Sequence, residues 1–250
     1  MPHSLTRRRL LQTTGATALA LAMPAARTAA ESGRFTARPV ASPKTLAPGE
    51  HILSDDNGRR TVLYLPPSYD PAQPAPLYVM FHGARGDGAS TLQQERAAAD
   101  EHGVILLCPS TRQGTWDGIR DDFAHDFSAV DGWLQNTFAS CAVDTARLAI
   151  GGFSDGATYG LSLGLINGDL FTHVIAHSPG FIINDNRHGK PKVYLSHGRQ
   201  DDVLPFDRCG AVIAARLERE QYTVRFDVFD GKHTASPELR SAALAWLAGA

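Results

Sequence analysis

The chain has 250 residues, about the most that a single hydrophobic core organises, so one domain is expected rather than two complete ones. At 43% hydrophobic, 20% charged and 8% aromatic residues, its composition excludes a disordered, a collagen-like or a disulfide-dense chain. A formal charge of −2 with no stripe of Lys and Arg argues against nucleic-acid binding, because phosphate contacts need clustered cations.

The first thirty residues differ from the rest. Arg7, Arg8, Arg9 and Arg27 stand there without a single acid, and an Ala/Leu/Thr run extends from Thr13 to Ala26. A charged region followed by an apolar one predicts a signal peptide over residues 1–30, the apolar part being too short and too rich in small residues to span a bilayer as a helix. Thr6-Arg7-Arg8-Arg9-Leu10-Leu11-Gln12 resembles the twin-arginine motif, which implies recognition by the twin-arginine export machinery and a bacterial protein, periplasmic or secreted. Cleavage near Ala30 removes four arginines and takes the charge from −2 to −6. The first cysteine is Cys108, so no membrane anchor through a lipidated cysteine follows the signal. Residues 31–50, with Pro39, Pro43 and Pro48, read as an extended leader, and 51–250 as one catalytic domain.

From Thr61 onward short apolar runs alternate with amphipathic ones. Strands are expected at Thr61–Leu65, Leu77–Phe81, Val104–Cys108, Leu148–Gly151, His173–Ala176, Val193–Ser196 and Thr223–Phe229. Helices are expected over Thr91–Glu101, Phe123–Phe138, Gly156–Ile166, Phe206–Glu220 and Pro237–Leu247. This alternation predicts the α/β class: a mainly parallel, twisted sheet with helices on both faces. Ligands of such sheets bind beyond the carboxyl ends of the strands, so chemistry is sought in the residues after each one.

Three of those positions form a constellation. Gly152-Phe153-Ser154-Asp155-Gly156 follows a strand and opens a helix, the context in which G-x-S-x-G makes a sharp turn that lifts a serine hydroxyl above the sheet. A hydroxyl needs a base to take its proton, and the base needs an acid to hold its tautomer. Asp201 and Asp202 follow the strand ending at Ser196, and His233 follows the next strand, in the chain order serine, acid, histidine. The loop His82-Gly83-Ala84-Arg85-Gly86 follows an earlier strand, where the amide of Ala84 could join that of Asp155 on a developing oxyanion. The Asp155 carboxylate, at a helix N-terminus, is expected to cap the helix and to lend only its backbone to that oxyanion.

Together G-F-S-D-G, the H-G oxyanion loop and His197-Gly198-Arg199-Gln200-Asp201-Asp202-Val203-Leu204-Pro205 resemble the serine α/β-hydrolases of the phospholipase/carboxylesterase and polyhydroxybutyrate-depolymerase-like group over nearly all of residues 60–250. The resemblance implies an α/β-hydrolase fold without a cofactor, with Ser154 as nucleophile, His233 as base and Asp201, three residues before the aliphatic-Pro pair, as acid. Asp202 is the alternative acid. The short connections leave no room for a lid domain, so an open site is expected, suited to short-chain or small aromatic acyl esters or to the end of a polymer.

Other residues at the same edge carry bland readings. His82, His177 and His197 are read as structural, since one base suffices and His233 has the right place in the chain. His125 and Asp126, near Asp121 and Asp122, lack the spacing of metal ligands and read as a solvated acidic helix start, so no metal is expected. Trp116, Phe181 and Leu204 are candidate walls of a substrate pocket. Cys108, Cys141 and Cys209 fall at separated places in such a fold, and no intramolecular disulfide is expected. The reading from another class is a non-catalytic, ligand-binding protein of the same fold; a thioesterase, a polyester depolymerase or a peptidase would use the same residues.

Overall fold

The computed structural model describes residues 32–41, 43–54, 59–120 and 122–249; the expected signal peptide lies outside them. Among the described residues eight strands form one sheet: β1 (Gly49–Ser54), β2 (Arg60–Leu65), β3 (Ala75–Phe81), β4 (Ile105–Cys108), β5 (Val143–Phe153), β6 (His173–His177), β7 (Lys192–Gly198) and β8 (Val224–Phe229). Their spatial order is β1-β2-β4-β3-β5-β6-β7-β8. The first two pairings are antiparallel and the remaining five parallel, which is the expected mainly parallel sheet. Helices α1 (Gly88–His102), α2 (Asp117–Arg120), α3 (His125–Ser140), α4 (Asp155–Ile166), α5 (Gly210–Arg219) and α6 (Pro237–Ala248) complete the fold.

Alternation along the strands makes two cores. Leu77, Val79 and Phe81 of β3 point to the face covered by α3, α4 and α5, while Tyr78 and Met80 point to the face covered by α1 and α6. Strand β5 runs through the middle, and α4 lies on it so closely that a Cβ on Gly160 would come 2.5 Å from the Cα of Gly151. A Cβ on Gly151 itself would fall 1.6 Å from the carbonyl oxygen of Ile175 on β6. Both glycines are therefore dictated by close approach of backbones rather than by turn geometry. No helix among the described residues is long and apolar enough to cross a membrane.

Several elements differ from expectation. Strand β1 straddles the expected boundary at residue 50 between leader and domain; it is an edge strand with half of its residues exposed, and its polar Glu50 and His51 hide the apolar alternation. Strand β5 begins five residues early, because its first five residues are at most half-buried and include the polar Asp144, Thr145 and Arg147. Helix α1 begins at Gly88, fixed by Asp87, whose carboxylate accepts the Ser90 N–H in a capping box. Helix α5 begins at Gly210 rather than Phe206, because the chain first makes a turn in which Arg208 and Cys209 both donate to the Pro205 carbonyl.

The leader itself lies on the domain. Asp131 of α3 accepts the backbone N–H groups of Thr36 at 3.0 Å and Ala37 at 2.9 Å, and Asn167 accepts that of Phe35 at 2.9 Å. Arg34 makes a two-pronged ion pair with Asp169. Phe35, 2% exposed, packs between Phe127 and Phe171. The core thus begins near residue 34, well before the first strand.

Candidate active site

Ser154 follows β5 and begins α4 with φ 57° and ψ −119°, the left-handed region that a serine rarely occupies. The turn is that tight because β3 crowds it: a Cβ on Gly152 would come 2.2 Å from the Phe81 carbonyl oxygen, and one on Gly156 2.1 Å from the same atom. The strained serine is held by its own backbone, its N–H donating to the His177 carbonyl at 3.0 Å and its C=O accepting from Thr158 at 2.9 Å. Its hydroxyl donates to His233 Nε2 at 2.8 Å, and His233 Nδ1–H donates to Asp201 Oδ2 at 2.7 Å. The carboxylate fixes the tautomer, leaving Nε2 free to take a proton.

Asp201 is buried beyond the end of β7, and its other oxygen accepts the amides of Val203 at 3.0 Å and Leu204 at 2.7 Å. Burial works against its charge, but the His233 N–H and those two amides outweigh it and hold the carboxyl below the usual carboxylate range. Asp202 is exposed and turned to Lys232, 3.0 Å away. Geometry therefore separates two neighbours that spacing alone left as alternatives. The ring of Phe153 lies against His233 with centroids 4.8 Å apart.

The loop after β3 stands beside the serine: a Cβ on Gly83 would be 3.3 Å from Ser154 Cβ. Among the described residues the N–H groups of Ala84 and Asp155 have no protein acceptor, as donors reserved for a ligand would. His82 holds this loop from beneath. Its Nε2 accepts the Thr111 N–H at 3.1 Å, so Nδ1 carries the proton and donates to the Gly83 carbonyl at 2.7 Å. With both nitrogens engaged and burial lowering its pKa, His82 is a neutral structural imidazole, as read from the sequence. A cavity of about 190 Å³ opens here, lined by His82, Gly83, Ala84, Gly86, Gln94 and Phe153. A larger cavity of about 580 Å³ is lined by Thr111, Arg112, Arg59 and Glu50 and shares no residue with the oxyanion loop, whereas the smaller one adjoins the triad through Gly83, Ala84 and Phe153 without being lined by Ser154, His233 or Asp201 themselves.

Three expectations are corrected. Trp116 is fully buried, stacked on Tyr159 and edge-on to Phe81, and its indole N–H donates to the His82 carbonyl at 2.9 Å, so it belongs to the support of the loop and walls no pocket. Phe181 is 49% exposed, and Leu204 is half-buried against Gly180. The Asp155 carboxylate caps no amide; it accepts the Thr115 hydroxyl at 2.5 Å and so faces away along the loop after β4. Asp126 is not solvated: it is buried, ion-paired to Arg59 and bonded to the Thr111 hydroxyl at 2.7 Å. Beside it, buried Asp117 accepts the N–H groups of Ala124 and Asp126, each at 2.8 Å. These carboxylates pin the loop on which His82 rests. Sequence reasoning missed Thr111, Thr115 and Phe153, because loop threonines and an aromatic at a turn carry no distinctive signal.

His177 and His197 also lie under the site. His177, at the end of β6, is 2.7 Å from Ser196 Oγ, and burial, helped by Arg240, pushes its pKa down to about 3. The unfolded chain binds a proton below about pH 6.5 that the folded chain refuses, so stability is full above that pH and falls towards pH 3. Each unit in that window is expected to cost about 1.4 kcal/mol from this group. Thermal melts from pH 7 to 4 should be visibly flatter for His177→Gln than for the parent; equal slopes would refute the assignment. His197 is buried with Nε2 2.8 Å from the Leu204 carbonyl and 3.2 Å from Asp201 Oδ2.

Cys108, Cys141 and Cys209 are buried free thiols whose pKa burial raises, so none is a poised nucleophile. No group of three or more His, Cys, Asp or Glu among the described residues is placed to hold a metal ion.

Known proteins resemble this chain. The phospholipase/carboxylesterase family model matches residues 115–246. Feruloyl esterase C of Emericella nidulans is 26% identical over 159 residues, covering 60% of this chain; the chain spans only 58% of that relative's length. An S-formylglutathione hydrolase from Agrobacterium tumefaciens superposes with a TM-score of 0.62 at 15% identity, covering 85% of this chain and 99% of its own. A ferulic acid esterase from Anaeromyces mucronatus does so with a TM-score of 0.59 at 16% identity, covering 82% and 91%. At these identities the structures show the α/β-hydrolase fold.

Proposed function

We propose that this chain, which belongs to the phospholipase/carboxylesterase family, works as an exported carboxylic ester hydrolase that forms an acyl-enzyme on Ser154. The observation that carries this reading is the unbroken hydrogen-bonded chain from Ser154 Oγ through His233 to Asp201. Ser154 attacks the ester carbonyl while His233 Nε2 takes its proton. Asp201 keeps the imidazole oriented and stabilises its charge. The carbonyl oxygen becomes an oxyanion within reach of the Ala84 and Asp155 amides, aided by the N-terminal dipole of α4. His233 then protonates the departing alcohol. Water, deprotonated by the same imidazole, releases the acid.

The preferred substrates are esters of short-chain or small aromatic acids. The cavity of about 190 Å³ beside the loop accommodates a small group better than a long chain, and Phe153 and the exposed Phe181 offer flat apolar surface. The feruloyl esterase relative agrees with an aromatic acid. A periplasmic or secreted destination through the twin-arginine machinery rests on the Arg-rich, acid-free first thirty residues alone.

An ester panel graded from acetyl to palmitoyl, with a hydroxycinnamoyl ester, a thioester and an anilide as further arms, tests the substrate class. Highest kcat/KM on acetyl, butyryl or hydroxycinnamoyl esters is the expected result. Highest kcat/KM on long chains, on the thioester or on the anilide would overturn it. Failure of the folded protein to react with a fluorophosphonate probe would mean a binding protein built on this fold.

A further inference from the structure

One buried ion pair lies outside the hydrogen-bonded triad and is unused by the chemistry above. Arg240, in the first turn of α6, is 6% exposed, and Glu95 of α1 is 1% exposed. Arg240 directs three nitrogens to three partners: NH1 to the Glu95 carboxylate, NH2 to Gln94 Oε1 at 2.7 Å, and Nε to the Ala235 carbonyl at 2.9 Å. Ala235 is two residues beyond His233, on the loop between β8 and α6.

The other end of α1 matters equally. Its capping residue Asp87 directly follows the loop His82–Gly86, and Gly88 donates to Ser110 at 2.9 Å, next to the Thr111 that pins His82. One helix therefore roots the loop carrying the free Ala84 amide at its N-terminus and, through Glu95 and Gln94, grips the arginine that holds the histidine loop. A buried ion pair is weak as a source of stability, because desolvation offsets most of its attraction; its better-attested use is to fix one arrangement among several.

We propose that Arg240 is a positioning residue, clamped by Glu95 and Gln94, that tethers the His233 loop to the helix carrying the oxyanion loop and so sets the distance between base and nucleophile. The inference rests on His233 being the base. Without the tether the Ala235 carbonyl loses its partner, the loop samples positions in which Nε2 is out of line with Ser154 Oγ, and only a fraction of molecules is competent at any moment. A misplacement of this kind lowers kcat and leaves substrate binding unchanged.

The test is a double substitution, Glu95→Leu with Arg240→Met, which removes both charges together and so avoids stranding one of them. A melting temperature within about 5 °C of the parent is expected, with kcat for a short-chain ester lower by about 10- to 100-fold and KM within about twofold. Arg240→Lys is the second variant: it keeps a cation beside Glu95 but its single ammonium cannot serve Glu95 and Ala235 at once, and about a tenfold loss of kcat is expected. Unchanged kcat in either folded variant would overturn the proposal, as would a lowered melting temperature with full kcat, which marks a purely structural pair. Amide exchange over residues 231–236 gives a readout independent of turnover. It should speed up in both variants, and unchanged exchange would refute the tether even if the parent proved inert to every ester, a failure that would belong to the esterase reading instead.

Discussion

Ser154→Ala is expected to fold like the parent and to lose ester turnover by about 10⁶-fold in kcat, with reaction with a fluorophosphonate probe abolished. The fold should survive because alanine keeps the Cβ, and the backbone bonds from Ser154 N–H to His177 and from Thr158 N–H to Ser154 do not involve the hydroxyl. The loss is large because without the oxygen no acyl-enzyme can form, and what remains is the contribution of the oxyanion donors and binding. His233→Ala should lose about as much, and the pair of substitutions together hardly more, since the two act as one unit. Asp201→Asn should cost about 10⁴-fold by allowing the wrong tautomer, whereas Asp202→Asn, which touches only Lys232, should stay within about twofold on the same scale of surface changes. Ester turnover surviving in Ser154→Ala would remove the nucleophile from the proposed mechanism.

Gly151→Ala is expected to produce the largest loss of stability from a single methyl group. Its Cβ would sit 1.6 Å from the Ile175 carbonyl oxygen, an atom of the neighbouring central strand that cannot swing aside as a side chain would. Strands β5 and β6 must separate, breaking the parallel pairing from Ala149 to Phe153 and disturbing the strand that leads into Ser154. A cost of at least about 3 kcal/mol follows, or about 6–12 °C in melting temperature for a domain of this size, and activity should fall with it. Gly132→Ala on the exposed side of α3, where nothing lies within 4 Å of the added methyl, is the internal comparison and should be neutral or stabilising by up to about 1 kcal/mol. Equal melting temperatures for the two variants would refute the close approach of the strands.

Much of this could be read from the chain because the parallel strands β3, β4, β6 and β7 are buried on both faces and appear as continuous apolar runs. The order serine, acid, histidine was equally plain, each residue standing just after a strand. What escaped was whatever depends on partners distant in sequence. Asp126 reads as a solvated helix start until Arg59, 67 residues away, is brought against it. Glu95 and Arg240 are 145 residues apart and each reads as an ordinary charge on an amphipathic helix. Trp116 stands in a glycine-flanked loop that looks exposed, yet the aromatic residues that bury it come from β3 and α4. Strand β1 escaped for the opposite reason: at the sheet edge it has water on one side and needs no apolar run.

The way residues 34–37 are fastened sets a limit on how far the amino end can be removed without disturbing the core. Arg34, Phe35, Thr36 and Ala37 are held by Asp169, Asn167 and Asp131 and, in the case of Phe35, by two aromatic rings. A peptidase needs an extended, accessible stretch of backbone, and here the backbone amides are already committed to the domain. Shortening from the amino end would therefore meet resistance just ahead of Arg34, because a cut beyond it would pull a phenylalanine out of the core. The folded body thereby limits by itself how far the amino end can be shortened.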